Sequence, residues 1–283
     1  MTIRSLCSQG FFGDEEVYLH FYGEEAEKSA PLFVILHGVH GSMSPVDENK
    51  YGFIAKTLAG EGYVACLAES SRLRRDKESF GTDRVSWAMS AFRGKTFAME
   101  VCDAFSALDR ASAEHPGRPV VLWGFSLGGL IAVILAGKET GSFTRQLGVT
   151  LAPPTDVSAL VISGSGDRIR TEASTDLTLP VLDTLGSSEI VHNAASKVSL
   201  SFALLFYGGR DETFDEESSR RIFRSLRLED GKKEFRILPG VDHSFRTVNG
   251  VPSTEPLKRM ISLTRATLER YQMTGEGEAR QGA

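Results

Sequence analysis

The chain has 283 residues and a formal net charge of −5 at pH 7, with 41% hydrophobic and 24% charged residues. This length suits one large α/β domain or two small ones, and the composition is that of an ordinary soluble globular protein. The acidic balance argues against nucleic acid or an anionic membrane as the main partner, and no apolar run is long enough to predict a membrane span.

Short apolar runs alternate with helical segments along the chain. In chain order the predicted elements are strand 16–22, strand 31–37, helix 50–60, strand 62–68, helix 96–113, strand 120–123, helix 127–136, strand 158–163, strand 201–207, helix 216–226, strand 235–238 and helix 255–271. Strands that alternate with helices in this way predict an α/β fold, a mostly parallel sheet with helices on both faces. Residues 164–200 are polar and too long for an ordinary connection, which indicates an insertion over one edge of the sheet.

The N-terminal segment and the cysteines bear on the compartment. Residues 1–21 lack the apolar core of a secretory signal and become acidic early. Cys7, Cys66 and Cys102 are an odd number and show no C-x-x-C spacing, so free thiols are favoured over disulfides. We therefore expect a cytoplasmic protein, and we interpret residues 272–283 as a flexible tail.

Residues 124–128, GFSLG, match the pattern G-x-S-x-G between a predicted strand and a predicted helix. In a parallel α/β sheet the chemistry lies beyond the carboxyl ends of the strands, which is where this turn falls. A nucleophilic serine there needs small neighbours, and Gly124 and Gly128 supply the room. An inert serine in a glycine-rich turn is the alternative, but the placement favours Ser126 as a nucleophile.

A serine nucleophile needs a base, and six histidines are available. Only His243 is both late in the chain and just past the carboxyl end of a predicted strand; the alternative is a histidine of a surface loop. The acid that orients the imidazole could be Asp211 or Asp167, because each follows a buried strand and a glycine turn. Asp211 is favoured because its strand is nearer in sequence to His243.

The chain order Ser126, Asp211, His243 on alternating strands and helices resembles the α/β-hydrolase family. The resemblance extends from about residue 17 to residue 271. It implies a single domain over residues 1–271, with a mostly parallel eight-stranded sheet flanked by helices. It also implies a small lid, at about 167–200, inserted after the sixth strand.

The resemblance further assigns a role to the sequence HGVHGS at 37–42. It implies that the pair His37-Gly38 shapes an oxyanion hole, with one backbone N–H from Val39 and a second from Leu127. A plain strand-ending turn is the alternative for this pair.

The sequence departs from the family after the next strand, where many members carry an aspartate and a glycine-rich arginine motif. This chain has ESSRLRR at 69–75 instead, which leaves the subfamily and the substrate open. The basic residues of 72–75 could meet an anionic substrate, although a solvated loop is the favoured interpretation.

Two other motifs fail on their context. The G-K-T at 94–96 lacks the earlier glycine and the preceding strand of a phosphate-binding loop, and the G-S-G at 164–166 lacks the third glycine of a dinucleotide site. No histidine or cysteine spacing indicates a metal site. We therefore expect no metal and no cofactor.

These observations together predict a serine hydrolase that acts on a small-molecule substrate through an acyl-enzyme. A carboxylic ester is the favoured substrate; a thioester, an amide or a C–C bond next to a carbonyl stays open, because the fold does not choose among them. A ligand-binding protein that kept the fold without turnover is the rival hypothesis.

Overall fold

The computed structural model describes residues 2–39, 42–46, 49–152, 154–168, 180–247, 253–271 and 273. The strands are β1 Arg4–Gln9, β2 Glu16–Tyr22, β3 Leu32–Leu36, β4 Val64–Glu69, β5 Val120–Phe125, β6 Ala159–Ser163, β7 Phe202–Gly208 and β8 Lys233–Leu238. The α-helices are α1 Lys50–Gly60, α2 Arg84–Ala91, α3 Phe97–Glu114, α4 Leu127–Ala136, α5 Gly141–Leu147, α6 Pro180–Asp183, α7 Glu189–Lys197, α8 Glu216–Ser225 and α9 Glu255–Arg270. A short 3₁₀ helix covers Lys77–Phe80.

All eight strands form one sheet in the order β1-β2-β4-β3-β5-β6-β7-β8. The strands β1, β2 and β4 pair antiparallel, and every pair from β4 across to β8 is parallel. The mostly parallel eight-stranded sheet expected from the sequence is therefore confirmed. The five central strands are buried along their whole length, which explains why they are continuous apolar runs in the sequence.

Helices cover both faces of the sheet and form two apolar cores. Side chains of α1 and α9 contribute to one core, which also contains Phe33 and Trp123. Side chains of α3, α4, α7 and α8 contribute to the other core, around Val34 and Leu122. Successive residues of one strand thus point to opposite cores, as the strand period requires. In parallel sheets of this kind, sites lie beyond the carboxyl ends of the strands.

The structure adds elements that the sequence pattern does not predict. Strand β1 alternates half-buried and exposed residues and has only a weak apolar signal because it lies at the sheet edge. Helices α2 and α5 are short and lie where the sequence pattern predicts no element. In contrast, α1 and α4 begin and end at the predicted residues.

Residues 169–179 of the predicted lid lie outside the described residues, as do 272 and 274–283 of the predicted tail. Within the rest of the lid segment, α7 packs against α4, and Val191 and Ala194 are buried in the core. Helix α7 therefore packs on the helical layer formed by α4 and α8, between β6 and β7 in chain order. Helix α6 packs against α3 and carries one buried residue, Val181. The lid assignment stays a prediction.

Among the described residues, no helix has the length and apolar character needed to cross a membrane. The three cysteines are free thiols; Cys7 is exposed, and Cys66 and Cys102 are buried. Burial raises the pKa of the Cys102 thiol to about 12. This thiol is therefore an inert part of the core.

Candidate active site

Ser126 occupies a sharp turn between β5 and α4. Its φ of 52° and ψ of −119° are unusual for a residue with a side chain. The turn is tight enough to exclude a Cβ at either flanking glycine. At Gly124 a Cβ would lie 2.2 Å from the carbonyl oxygen of Gly128, and at Gly128 it would lie 2.5 Å from that of His37. Both positions therefore require glycine.

The structure brings the side chains of Ser126, His243 and Asp211 together. The Nε2 atom of His243 lies 3.0 Å from the Oγ of Ser126, and its Nδ1 lies 2.9 Å from Oδ2 of Asp211. Asp211 follows β7 and His243 follows β8, so neighbouring parallel strands deliver both groups to one sheet edge. The fold thus brings together three residues that lie far apart in the sequence.

Asp211 is held by its own turn. Its Oδ1 accepts hydrogen bonds from the backbone N–H groups of Thr213, at 2.8 Å, and Phe214, at 2.9 Å. Its Oδ2 is left for His243, and the carboxyl side chain is fully buried. A carboxylate only accepts, so Nδ1 of His243 carries the hydrogen and donates. The Nε2 atom is then free to accept the hydroxyl hydrogen of Ser126.

Asp167, the alternative acid in the sequence, lies in a different cluster. Its Oδ1 and Oδ2 accept hydrogen bonds from the guanidinium of Arg221 at 2.6 and 2.8 Å, and Oδ1 accepts another from Ser218 at 2.8 Å. Its Oδ2 also lies 2.9 Å from Nε2 of His192. Burial would raise the pKa of Asp167, but these hydrogen bonds hold it below the usual value. This cluster links the end of β6 to α7 and α8.

The turn after β3 lies directly against Ser126. A Cβ built on Gly38 would lie 2.9 Å from the Cβ of Ser126 and 3.4 Å from its Oγ. Val39 is the next residue of that turn, and Leu127 is the first residue of α4. The two segments that carry the predicted oxyanion-hole N–H groups thus flank the serine. A role for either N–H group stays a prediction.

His37 is buried and fixed by backbone contacts that the sequence does not reveal. Its Nε2 accepts a hydrogen bond from the Ser70 N–H at 3.2 Å, so Nδ1 carries the hydrogen and donates to the Gly38 carbonyl oxygen at 2.7 Å. Burial lowers the pKa of His37, which keeps the ring neutral. His37 therefore fixes the peptide between Gly38 and Val39 through a hydrogen bond to its carbonyl oxygen.

A buried ionic cluster supports the residues that hold His37. The Lys95 ammonium donates to the Ser71 carbonyl oxygen at 2.7 Å and to the Asp103 carboxylate at 2.6 Å, and it also pairs with Glu100. Burial would raise the pKa of Glu100, but Lys95 keeps it low. Asp103 also accepts from the Ser71 backbone N–H at 2.8 Å. Lys95, the lysine of the G-K-T sequence, is thus fully engaged in buried contacts with Ser71, Asp103 and Glu100.

The basic segment 72–75 is engaged within the protein. The guanidinium of Arg72 is fully buried, 5.2 and 5.0 Å from the ring centroids of Trp87 and Phe92. Arg74 pairs with Asp76. Arg75 pairs with Asp14 and with Glu69. The interpretation as a solvated loop is wrong for Arg72. Its guanidinium is buried and contacts aromatic rings of the core.

Comparison with known proteins agrees with this architecture. A model of the Dienelactone hydrolase family matches residues 19–155, a span that includes Ser126 and ends before Asp211 and His243. No curated protein sequence matches the chain. Among the described residues, no group of three or more His, Cys, Asp or Glu side chains could hold a metal ion.

Solved structures of similar fold cover almost the whole chain. The esterase domain of a Rhodothermus marinus protein has a TM-score of 0.60 at 16% identity, over 95% of this chain and 99% of that one. Est1E from Butyrivibrio proteoclasticus has a TM-score of 0.61 at 13% identity, over 94% and 99%. XC6422 from Xanthomonas campestris, described as an α/β serine hydrolase without lid, has a TM-score of 0.55 at 14% identity, over 96% and 95%. With its sheet order and its strand–serine–helix turn, the chain has the α/β-hydrolase fold.

Proposed function

We propose that the chain is a cytoplasmic serine hydrolase that cleaves a carboxylic ester of a small molecule through an acyl-enzyme. One observation carries the proposal: Ser126, His243 and Asp211 form a continuous hydrogen-bonded chain of 3.0 and 2.9 Å at a strained strand–helix turn. The same geometry makes serine a nucleophile in unrelated folds. In this proposal Ser126 is the nucleophile, His243 the general base and Asp211 the orienting acid.

In the first half of the reaction, Nε2 of His243 takes the proton of the Ser126 hydroxyl while Oγ attacks the carbonyl carbon of the ester. The carbonyl π electrons move to its oxygen, and the N–H groups of Val39 and Leu127 stabilise the resulting oxyanion. The carbonyl then re-forms as the C–O bond to the alcohol breaks. The alcohol leaves with the proton that His243 had taken, and an acyl-Ser126 ester stays behind.

In the second half, His243 removes a proton from water, and the hydroxide oxygen attacks the acyl carbon. A second tetrahedral intermediate forms with its oxyanion in the same place. It collapses by breaking the bond to Oγ of Ser126, which recovers its proton from His243. The products are one alcohol and one carboxylic acid, and the enzyme is restored.

The choice of an ester rests on chemistry and on similarity. The family-model match and the esterases among the similar folds support a hydrolase of this class. A thioester, an amide or a C–C bond next to a carbonyl would use the same three residues, so these remain alternative substrates. The intact hydrogen-bonded chain from Asp211 to Ser126 favours turnover over mere ligand binding.

The proposal is tested by a hydrolysis screen with one acyl group attached in turn as a p-nitrophenyl ester, a thioester and an anilide. We expect the ester to have a higher kcat/KM than the anilide, because its leaving group needs less protonation by His243 than an amine does, and the thioester value then shows which acyl bond the site prefers. The measurement is steady-state release of each leaving group, repeated with acyl chains from acetyl to palmitoyl. Saturable binding of the esters without product release would identify a binding protein instead.

The lid segment is proposed to set the preference for acyl-chain length. Helix α3 runs back from the carboxyl edge of the sheet, and the N–H of its first residue, Phe97, donates to Oγ1 of Thr184 at 2.7 Å. The segment around α6 therefore lies at the edge that carries the candidate site. Its Leu182 and Leu185 are partly buried against the core.

We expect Leu182→Ala with Leu185→Ala to change the order of kcat/KM values across the chain-length series. The matched control is Leu228→Ala, because Leu228 is also partly buried but follows α8, which runs away from the carboxyl edge. The control should lower the melting temperature without reordering the substrates. An unchanged order in the α6 variant would count against a lid there.

A further inference from the structure

The two predicted oxyanion-hole N–H groups share a feature that the proposed reaction leaves unexplained. Each belongs to a peptide whose carbonyl oxygen accepts a hydrogen bond from a buried side chain. His37 donates to the Gly38 carbonyl at 2.7 Å, and the hydroxyl of Ser165 donates to the Ser126 carbonyl at 2.7 Å. The carbonyl of Ser126 and the N–H of Leu127 are the two halves of one peptide group.

A planar trans peptide couples its two polar groups. The N–H and the C=O point in opposite directions, and both turn together when the peptide plane turns. A donor that holds the Ser126 carbonyl on one side therefore fixes the direction of the Leu127 N–H on the other. The same hydrogen bond polarises the peptide, which strengthens its N–H as a donor.

Ser165 is built to hold that carbonyl. It follows β6, is only 2% exposed, and its own carbonyl oxygen accepts from Oγ of Ser219 on α8 at 2.6 Å. A Cβ at Gly129 would lie 2.0 Å from Oγ of Ser165, so the hydroxyl occupies space that only glycine leaves open. The neighbouring Ser163 carbonyl accepts from the Ser126 N–H at 2.9 Å. The last residue of β6 and the loop after it thus hold both backbone groups of the strained Ser126.

We propose that Ser165 is a positioning residue for the oxyanion hole: its hydroxyl fixes the peptide between Ser126 and Leu127 so that the Leu127 N–H faces the oxyanion. This inference rests on the proposed function of Ser126 as the nucleophile. The Ser126 carbonyl also accepts from the Gly129 N–H at 3.0 Å. Removal of the Ser165 hydroxyl therefore leaves that carbonyl with a partner, so the fold is retained while the peptide gains freedom to turn.

The test compares Ser165→Ala and Ser165→Cys with the wild-type protein. We expect kcat to fall about 10- to 100-fold in Ser165→Ala, less than the loss on deleting an oxyanion donor, with KM nearly unchanged. A trifluoromethyl ketone that forms a tetrahedral adduct should lose affinity by the same factor as kcat/KM, because the adduct uses the oxyanion hole. Ser165→Cys fills the same space, but its thiol is a weak hydrogen-bond donor, so kcat should fall several-fold.

A merely structural role would give a different pattern. Thr264→Val is the control, because it removes another fully buried hydroxyl, on α9, which donates within its own helix at 2.9 Å. It should change the melting temperature but neither kcat nor the affinity for the ketone. If wild-type protein hydrolyses esters while both Ser165 variants keep its kcat and ketone affinity within twofold, the positioning role is excluded. If wild-type protein itself neither hydrolyses esters nor binds the ketone, the proposed function fails instead.

Discussion

Replacement of Ser126 by alanine is expected to abolish ester hydrolysis and covalent labelling by a fluorophosphonate. The hydroxyl that His243 would activate is then absent, so the acyl bond cannot form at this turn. Loss of a serine nucleophile lowers kcat by about 10⁶-fold in serine proteases, so we expect a loss of that order here. The measurement is hydrolysis of the best ester from the screen, with the labelled peptide identified by mass spectrometry.

A matched control exists because the chain contains a second contact set of the same residue types. Oγ of Ser225 lies 2.8 Å from Nδ1 of His192, whose Nε2 lies 2.9 Å from Oδ2 of Asp167. Ser225, however, lies at the end of α8, and its hydroxyl donates to the Arg221 carbonyl within that helix at 3.0 Å. It lies neither in a strained turn nor at a helix N-terminus, the two features that Ser126 has.

The Ser225→Ala variant should therefore react with the fluorophosphonate and hydrolyse esters as the wild type does. Both variants should show the circular dichroism spectrum of the wild type, because each substitution removes only one hydroxyl group. Labelling that survives Ser126→Ala would move the nucleophile elsewhere, and labelling lost in Ser225→Ala would point to the second set.

The sequence was sufficient for those parts of the fold that local pattern controls. The central strands are buried on both faces and so appear as continuous apolar runs, and α1 and α4 have the predicted bounds. The turn at Ser126 could be located for the same reason, since the required glycines lie within two residues of it. Edge strand β1 needs only one half-buried face, so its apolar signal was too weak to detect.

The supports of the candidate site are contacts between distant segments, and no local pattern encodes them. His37 reaches Ser70, and Ser165 reaches Ser126. Lys95 attracts notice in the sequence only through the G-K-T motif, whereas its ion pair with Asp103 is a core contact that no local pattern reveals. The sequence does carry one signal for such contacts, namely charged residues within an otherwise apolar segment. A buried charge needs a partner, so these residues indicate buried ion pairs.

The choice between Asp211 and Asp167 shows most clearly that local sequence cannot decide a contact between distant segments. Both follow a buried strand and a glycine turn, so local sequence cannot separate them. In the structure the side chain of Asp211 meets Nδ1 of His243, whereas that of Asp167 meets Arg221 and His192. The backbone joins the two loops of the first pair as well, since the Arg210 N–H donates to the Val241 carbonyl at 2.9 Å.

We expect Asp211→Asn to lower kcat by about 10⁴-fold, the loss that the same change causes in a serine protease. The amide oxygen of the substituted side chain can still accept from the N–H groups of Thr213 and Phe214, so the turn and the fold should persist. The amide nitrogen would then face Nδ1 of His243 and donate to it. That contact favours the imidazole tautomer with hydrogen on Nε2, which cannot accept the proton of Ser126.

Asp167→Asn is the paired variant, and its effect should appear in stability. It removes the negative charge that Arg221 contacts twice at 2.6 and 2.8 Å, which costs about 1–3 kcal/mol of unfolding free energy for a hydrogen-bonded charge. Its kcat should stay within about tenfold of wild type, because Asp167 bonds to His192 and not to His243. Steady-state kinetics and urea unfolding on both variants thus give opposite profiles: Asp211→Asn loses turnover and keeps stability, while Asp167→Asn loses stability and keeps most of its turnover. If the two profiles were exchanged, Asp167 would be the acid that serves His243, and the loop after β6 would have to rearrange during turnover to bring it there.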